Sequence, residues 1–193
     1  MRPIEKQEES RRFEQLFAEM FDESDRGCIL IGASVLDDVL CELLKKRLTK
    51  SDHVAKQAME PLFSGMGPLS SFSARIKLAY CLGLIGKWEF EDLERIRKVR
   101  NKAAHEYTAK SFADNEIIQI TQRLAGANHA VSAMKKLEGT EAEAGSPNQE
   151  SAARSCNREL SKERLRFQLT VVYLAGRLDL QAFGVREVPS GAN

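Results

Sequence analysis

Residues 28–36, CILIGASVL, are apolar almost all the way round a helix. Such a helix has no side to give to water, so it belongs at the buried centre of a bundle. The run is the first half of a helix expected over about residues 25–49, entered at Ser24 or Asp25. Its second half acquires a solvent face: Asp37, Asp38, Glu42, Lys45 and Lys46. Acids precede bases there, as the helix dipole favours. Gly32, Ala33 and Ser34 are small enough for a second helix to pack closely.

The helices that must surround this centre are also legible. Residues 10–22 carry one apolar face of Phe13, Leu16, Phe17, Met20 and Phe21, with Ser10 as N-cap. Ser51 caps a short helix to about Met59, which Pro61 terminates. The stretch 62–72, LFSGMGPLSSF, lacks the GK[ST] ending of a phosphate-binding loop and follows no strand, so it reads as a tight connection between helices. Ser70 or Ser71 starts a helix over 71–84 with Phe72, Ile76, Ala79, Leu82 and Gly83 on its core face, and Gly86 lies just past its end. A helix from Lys87 to about Glu106 follows. Ser111 and Asp114 then form a capping-box pattern before a helix that breaks or weakens at Gly126.

Fold class is therefore all-α: a compact helical bundle with an additional C-terminal helix after a flexible linker. Residues 1–138 form the bundle domain. Residues 139–156, GTEAEAGSPNQESAARSC, are polar, small and Pro/Gly-containing, the composition of a linker. Residues 157–183 form the last helix, with Leu165, Leu169, Val172, Leu174, Ala175 and Leu178 on its apolar side. It packs on the bundle or on a partner subunit. Its start is basic (Arg154, Arg158, Lys162, Arg164, Arg166), but Glu159 and Glu163 are interspersed. Residues 184–193 are expected to be a disordered tail. No stretch reads as a strand.

Charge limits the function classes. Lys and Arg total 29 against 28 Asp and Glu, so there is no global basic field for nucleic acid. Cys28, Cys41, Cys81 and Cys156 are scattered without a CxxC pair, which leaves no metal site or cofactor expected and points to buried free thiols in a reducing compartment. The first residues are too charged for a signal peptide, and the longest apolar runs, 28–35 and 169–176, are too short to cross a membrane. The expected location is the cytoplasm, with no membrane association.

The stretch 93–107, LERIRKVRNKAAHEY, holds the chemistry-bearing residues. Leu93, Ile96, Val99, Ala103 and Tyr107 recur at helical spacing, and Arg100 falls inside that stripe. Glu94, Lys98, Asn101 and His105 run beside it. Arg supplies a fixed charge for phosphate and His a proton near neutral pH, the pair needed to cleave RNA without metal. Arg100 and His105 lie ~140° apart around a helix, so one straight helix does not bring them together. A second subunit would have to supply half the site. The plainer reading is structural: basic residues suit a helix C-terminus, and Arg100 pairs with Asp37 or Asp38. Arg75, Arg97, Lys98 and Lys102 are further candidates for contacts to a partner or to nucleic acid.

Three segments carry a resemblance: 25–48, 67–105 and 162–178 (KERLRFQLTVVYLAGRL). Together they resemble the mannitol operon repressor (MtlR) family. That resemblance implies an all-helical regulator of a carbohydrate operon, acting on DNA directly or through a regulatory protein partner. The sequence has no clear helix-turn-helix pair. Arg100, Asn101, His105 and Tyr107 also resemble the RNxxxHxY motif of HEPN-domain proteins, many of them metal-independent endoribonucleases. On that alternative His105 is general base or acid, Arg100 stabilises charge, Asn101 orients, RNA is the substrate, and a homodimer completes the cleft. A third reading is a non-catalytic interaction module.

Overall fold

A computed structural model describes residues 15–16, 18–48, 53–105, 111–141 and 161–184. Residues 18–22 are helical and lead into α1, Asp25–Leu48. Then come α2, His53–Phe63; α3, Phe72–Cys81; α4, Lys87–His105; α5, Asn115–Thr121; α6, Gly126–Glu141; and α7, Lys162–Gly184. Among the described residues every regular element is a helix.

The centre is α1, as the apolar run requires. Cys28, Ile29, Leu36, Leu40, Leu43 and Leu44 have no exposed surface. Each fully buried Leu or Ile contributes roughly 1.5–3 kcal/mol of transfer free energy. The helix packs against α7, α4 and α3. Gly32 is what lets α7 in: a Cβ there would lie 3.0 Å from Phe167 and 3.1 Å from Val171. Ser34, by contrast, faces solvent.

Several boundaries differ from expectation. Pro61 lies inside α2, which continues to Phe63. Its missing N–H costs one helical bond, and burial of Met59 and Phe63 holds the last turn in place. Ser71 is the cap of α3, accepting from the Ala74 amide at 3.2 Å. The end of α3 is made by Gly83 at φ +68, not by Gly86. Leu84 N–H reaches back to the Ala79 carbonyl at 2.9 Å, the Schellman arrangement that a left-handed glycine permits. Cys81 is an exposed thiol at that helix end, whereas Cys28 and Cys41 are buried. Cys156 lies outside the described residues.

The helix expected across residues 112–137 is split into α5 and α6 around Gln122–Ala125. The second half runs to Glu141, so residues 139–141 continue a helix where the linker was expected to begin. Residues 142–160 lie outside the described residues, as do Phe13 and Phe17 of the first apolar face.

Helix α7 packs back on the bundle, but in a different phase from the one expected. Phe167, Val171, Leu174, Ala175 and Leu178 are fully buried. Leu165 is 41% exposed, and Leu169 and Val172 are half-buried. The helix carries two apolar stripes, and polar residues choose between them. Arg164 and Gln168 are buried with the inner stripe because both bond across to the segment before α1. Arg164 donates to Asp25 at 2.7 Å and to the carbonyls of Met20, Phe21 and Glu23 at 2.9, 3.0 and 2.6 Å. It closes the carbonyl end of that helical segment, so the basic start of α7 is partly a structural clamp. No helix among the described residues is long and apolar enough to cross a membrane.

Candidate functional site

Helix α4 begins at Gly86, whose N–H is accepted by Glu89 at 2.5 Å, while the Gly86 carbonyl takes the Phe90 N–H at 3.0 Å. Glu89 thus fills the third-position role of a capping box. Leu93, Ile96, Val99 and Ala103 are buried at the spacing that places them on one face. Two carboxylates are buried with them, Glu89 and Asp92. Glu89 also accepts from Arg177 of α7 at 2.7 Å. Asp92 accepts the Ala125 and Gly126 N–H groups at 2.8 Å each, and Arg95 at 2.8 Å. It therefore caps α6 from another helix, satisfying donors that Gly126 cannot.

Arg100 is exposed, one residue beyond buried Val99. Its position inside the apolar stripe was an expectation of spacing; the buried arc ends before it, so no burial cost arises. Its guanidinium donates to Asn101 Oδ1 at 3.3 Å. It also lies in the field of Asp37, whose direct partner is Arg75. His105 is exposed at the last residue of α4, and Tyr107 lies outside the described residues.

The other basic residues of α4 are mostly paired. Arg97 bonds Glu94 at 2.8 Å, Arg95 bonds Glu91 at 3.0 Å, and Lys102 reaches Glu116 of α5 at 2.5 Å. Lys98 is exposed. The pairing of Arg95, Arg97 and Lys102 reduces the attraction this face offers phosphate.

The buried cation is Arg75, 8% exposed on α3. It donates to Asp37 at 2.6 Å and to the carbonyls of Leu69, Phe63 and Ser70 at 2.8, 3.3 and 3.5 Å. Its guanidinium also lies 6.0 Å from the Phe63 ring centre. Arg75 thus fastens the tight 62–71 connection to α1, and its polar atoms point inward. Burial raises the Asp37 carboxyl above the usual carboxylate range, against the lowering pull of Arg75. The 64–67 turn is built for closeness: Gly65 has φ +56, and a Cβ on Gly67 would meet the Pro61 carbonyl at 2.2 Å. That matches the tight-connection reading.

Sequence reasoning did not single out Glu89 or Asp92, and it marked Gly126 only as a break in a helix. Each is a polar or small residue whose partner lies on another helix. Among the described residues no three His, Cys, Asp or Glu side chains are grouped to hold a metal ion.

Comparison with known proteins places these features in a wider set. A profile described as Mannitol repressor matches residues 9–174. The mannitol operon repressors of Escherichia coli K12 and of Escherichia coli O6:H1 are each 32% identical over 113 residues. That match spans 58% of this chain and 58% of those relatives. Among solved structures, the MtlR–HPr complex from Escherichia coli superposes with a TM-score of 0.61 at 24% identity, covering 89% of this chain and 98% of that one. A possible transcriptional regulator, YggD from Shigella flexneri 2a, gives 0.60 at 14% identity, covering 88% and 97%. At these identities the structural matches establish a shared fold.

Proposed function

The chain belongs to the mannitol repressor family, and from that premise we propose that it is a cytoplasmic negative regulator of a polyol operon that acts through a protein partner. The observation that carries the reading is the family match across residues 9–174, from the segment before α1 into α7. The surface chemistry supports a protein partner over direct duplex contact. Arg95, Arg97 and Lys102 of α4 are paired with Glu91, Glu94 and Glu116, and net charge is +1. The related complex contains HPr, which makes HPr of the same organism the first partner to test.

A homodimer belongs to the same proposal. The outer side of α7 presents Leu165 at 41% and Leu180 at 55% exposure, an apolar surface suited to a second copy. The nuclease alternative gains no support from the comparisons; Arg75, a candidate for contacts to a partner or to nucleic acid, is directed into the fold.

The test is genetic. Deleting the gene should raise polyol-operon transcription, and deleting the HPr gene should alter that response only when this chain is present. Unchanged transcription in the single deletion would reject the reading.

A further inference from the structure

A cleft of about 510 Å³ opens between α1 and α2, closed at one end by Arg75. Asp38, Cys41 and Lys45 of α1 form one wall. Met59, Glu60 and Phe63 of α2 form the other. The volume suits a small molecule.

Both cations of the lining are engaged within the protein. Arg75 bonds Asp37 at 2.6 Å and Lys45 bonds Glu42 at 3.0 Å. Both also lie over the Phe63 ring, 6.0 and 5.9 Å from its centre, where the negative face of the ring attracts them. The acids of the lining differ. Asp38 and Glu60 stand on opposite walls, are exposed, and form no ion pair among the described residues. With Asp37 and Glu42, four carboxylates stand against two cations, so the cleft carries a negative field. Beneath them Met59, Phe63 and Cys41 are buried and make an apolar floor. Ionised carboxylates only accept hydrogen bonds, and their strong partners are charged donors. A bare metal ion leaves the apolar floor unused, and a single ammonium leaves one acid unmatched. A run of methylenes with an ammonium at each end satisfies both walls and the floor.

We infer that this cleft binds a linear aliphatic diamine, one ammonium donating to Asp38, the other to Glu60, and the methylenes lying on Met59 and Phe63. The inference uses only the lining of the cleft and stands apart from the partner reading. Helix α2 meets the core through Met59 and Phe63, and its end is held by Arg75. A diamine touching both walls ties α2 to α1.

The probes are putrescine, butylamine and magnesium chloride, titrated into the full chain by calorimetry and by amide NMR. Putrescine is expected to bind, to shift amides of α1 and α2, and to slow hydrogen exchange in α2. Butylamine, with the same carbon chain and one ammonium, is expected to bind about tenfold more weakly, the loss of one hydrogen bond between charged groups. Asp38→Asn and Glu60→Gln alter exposed side chains and should fold. Each is expected to weaken putrescine binding by about tenfold and to leave butylamine and putrescine nearly equal. Glu19→Gln makes the same charge change at an exposed site before α1 and is expected to leave binding unchanged. No binding by putrescine, equal affinity for butylamine in the unsubstituted chain, or unchanged affinity in the Asp38 and Glu60 variants overturns the proposal. So does an equal loss in Glu19→Gln, or displacement of putrescine by magnesium at equal concentration, since either result assigns the binding to charge alone.

Discussion

Cys28 has no exposed surface, and burial pushes its thiol up to about 12 from an ordinary 9.0. Between those values the unfolded chain releases the proton while the folded chain keeps it. Stability is therefore intact below 9.0 and falls as pH rises towards 12. The slope contributed is at most ~1.4 kcal/mol per pH unit. Urea unfolding across that alkaline window should show it, and Cys28→Ala should flatten it; an unchanged slope in the variant would assign the effect elsewhere. Arg75 is the other informative residue. Arg75→Met leaves Asp37 without its partner and three carbonyls without a donor, so a loss of roughly 3 kcal/mol in urea unfolding is expected. Arg75→Lys should rescue little, because an ammonium cannot reproduce the fork. The sequence shows Arg75 only as a polar residue on a short helix. Its burial depends on Asp37, which stands 38 positions earlier.

Helices themselves were legible, because periodicity of 3.6 is local information. The long central helix was expected over about 25–49 and spans Asp25–Leu48. What local information could not supply is the partner across a helix pair. Asp92, an acid that periodicity does not mark, is fully buried and caps α6. The break near Gly126 was visible; its cause was not. Asp92→Ala is expected to lower stability by about 2–4 kcal/mol, since it strands two amides and removes one of the two carboxylates that Arg95 bonds. Gly126→Ala tests the same junction by bulk. A Cβ there would stand 2.7 Å from Thr170 of α7, so α6 must shift, at a cost of about 1–3 kcal/mol. Urea midpoints check both, and a Gly126→Ala protein as stable as the parent would contradict the close approach. On α7 two apolar stripes compete, and only the bonds made by Arg164 and Gln168 decide which is buried. A pattern of hydrophobicity alone finds Leu174, Ala175 and Leu178 but wrongly adds Leu165, Leu169 and Val172 to the buried side.

At the scale of the molecule, the all-helical class followed from one apolar run that needed companions on every side. The candidate site was legible only in part. Arg100 and His105 stood out by type, but the structure leaves both on the surface and buries Arg75, Arg164, Glu89 and Asp92 instead. The exposed outer stripe of α7 gives the assembly a direct check: Leu165→Glu with Leu180→Glu should convert a dimer to a monomer in light scattering while thermal stability stays within about 0.5 kcal/mol, as exposed substitutions usually do. The central claim is regulation through a protein partner, and calorimetry of the purified chain with HPr tests it most directly, run beside a mobility-shift titration of the operator fragment. The account expects a saturable complex with HPr and no salt-sensitive shift of the fragment by this chain alone. Absence of heat with HPr, together with a specific operator shift that weakens steeply with salt, would contradict it.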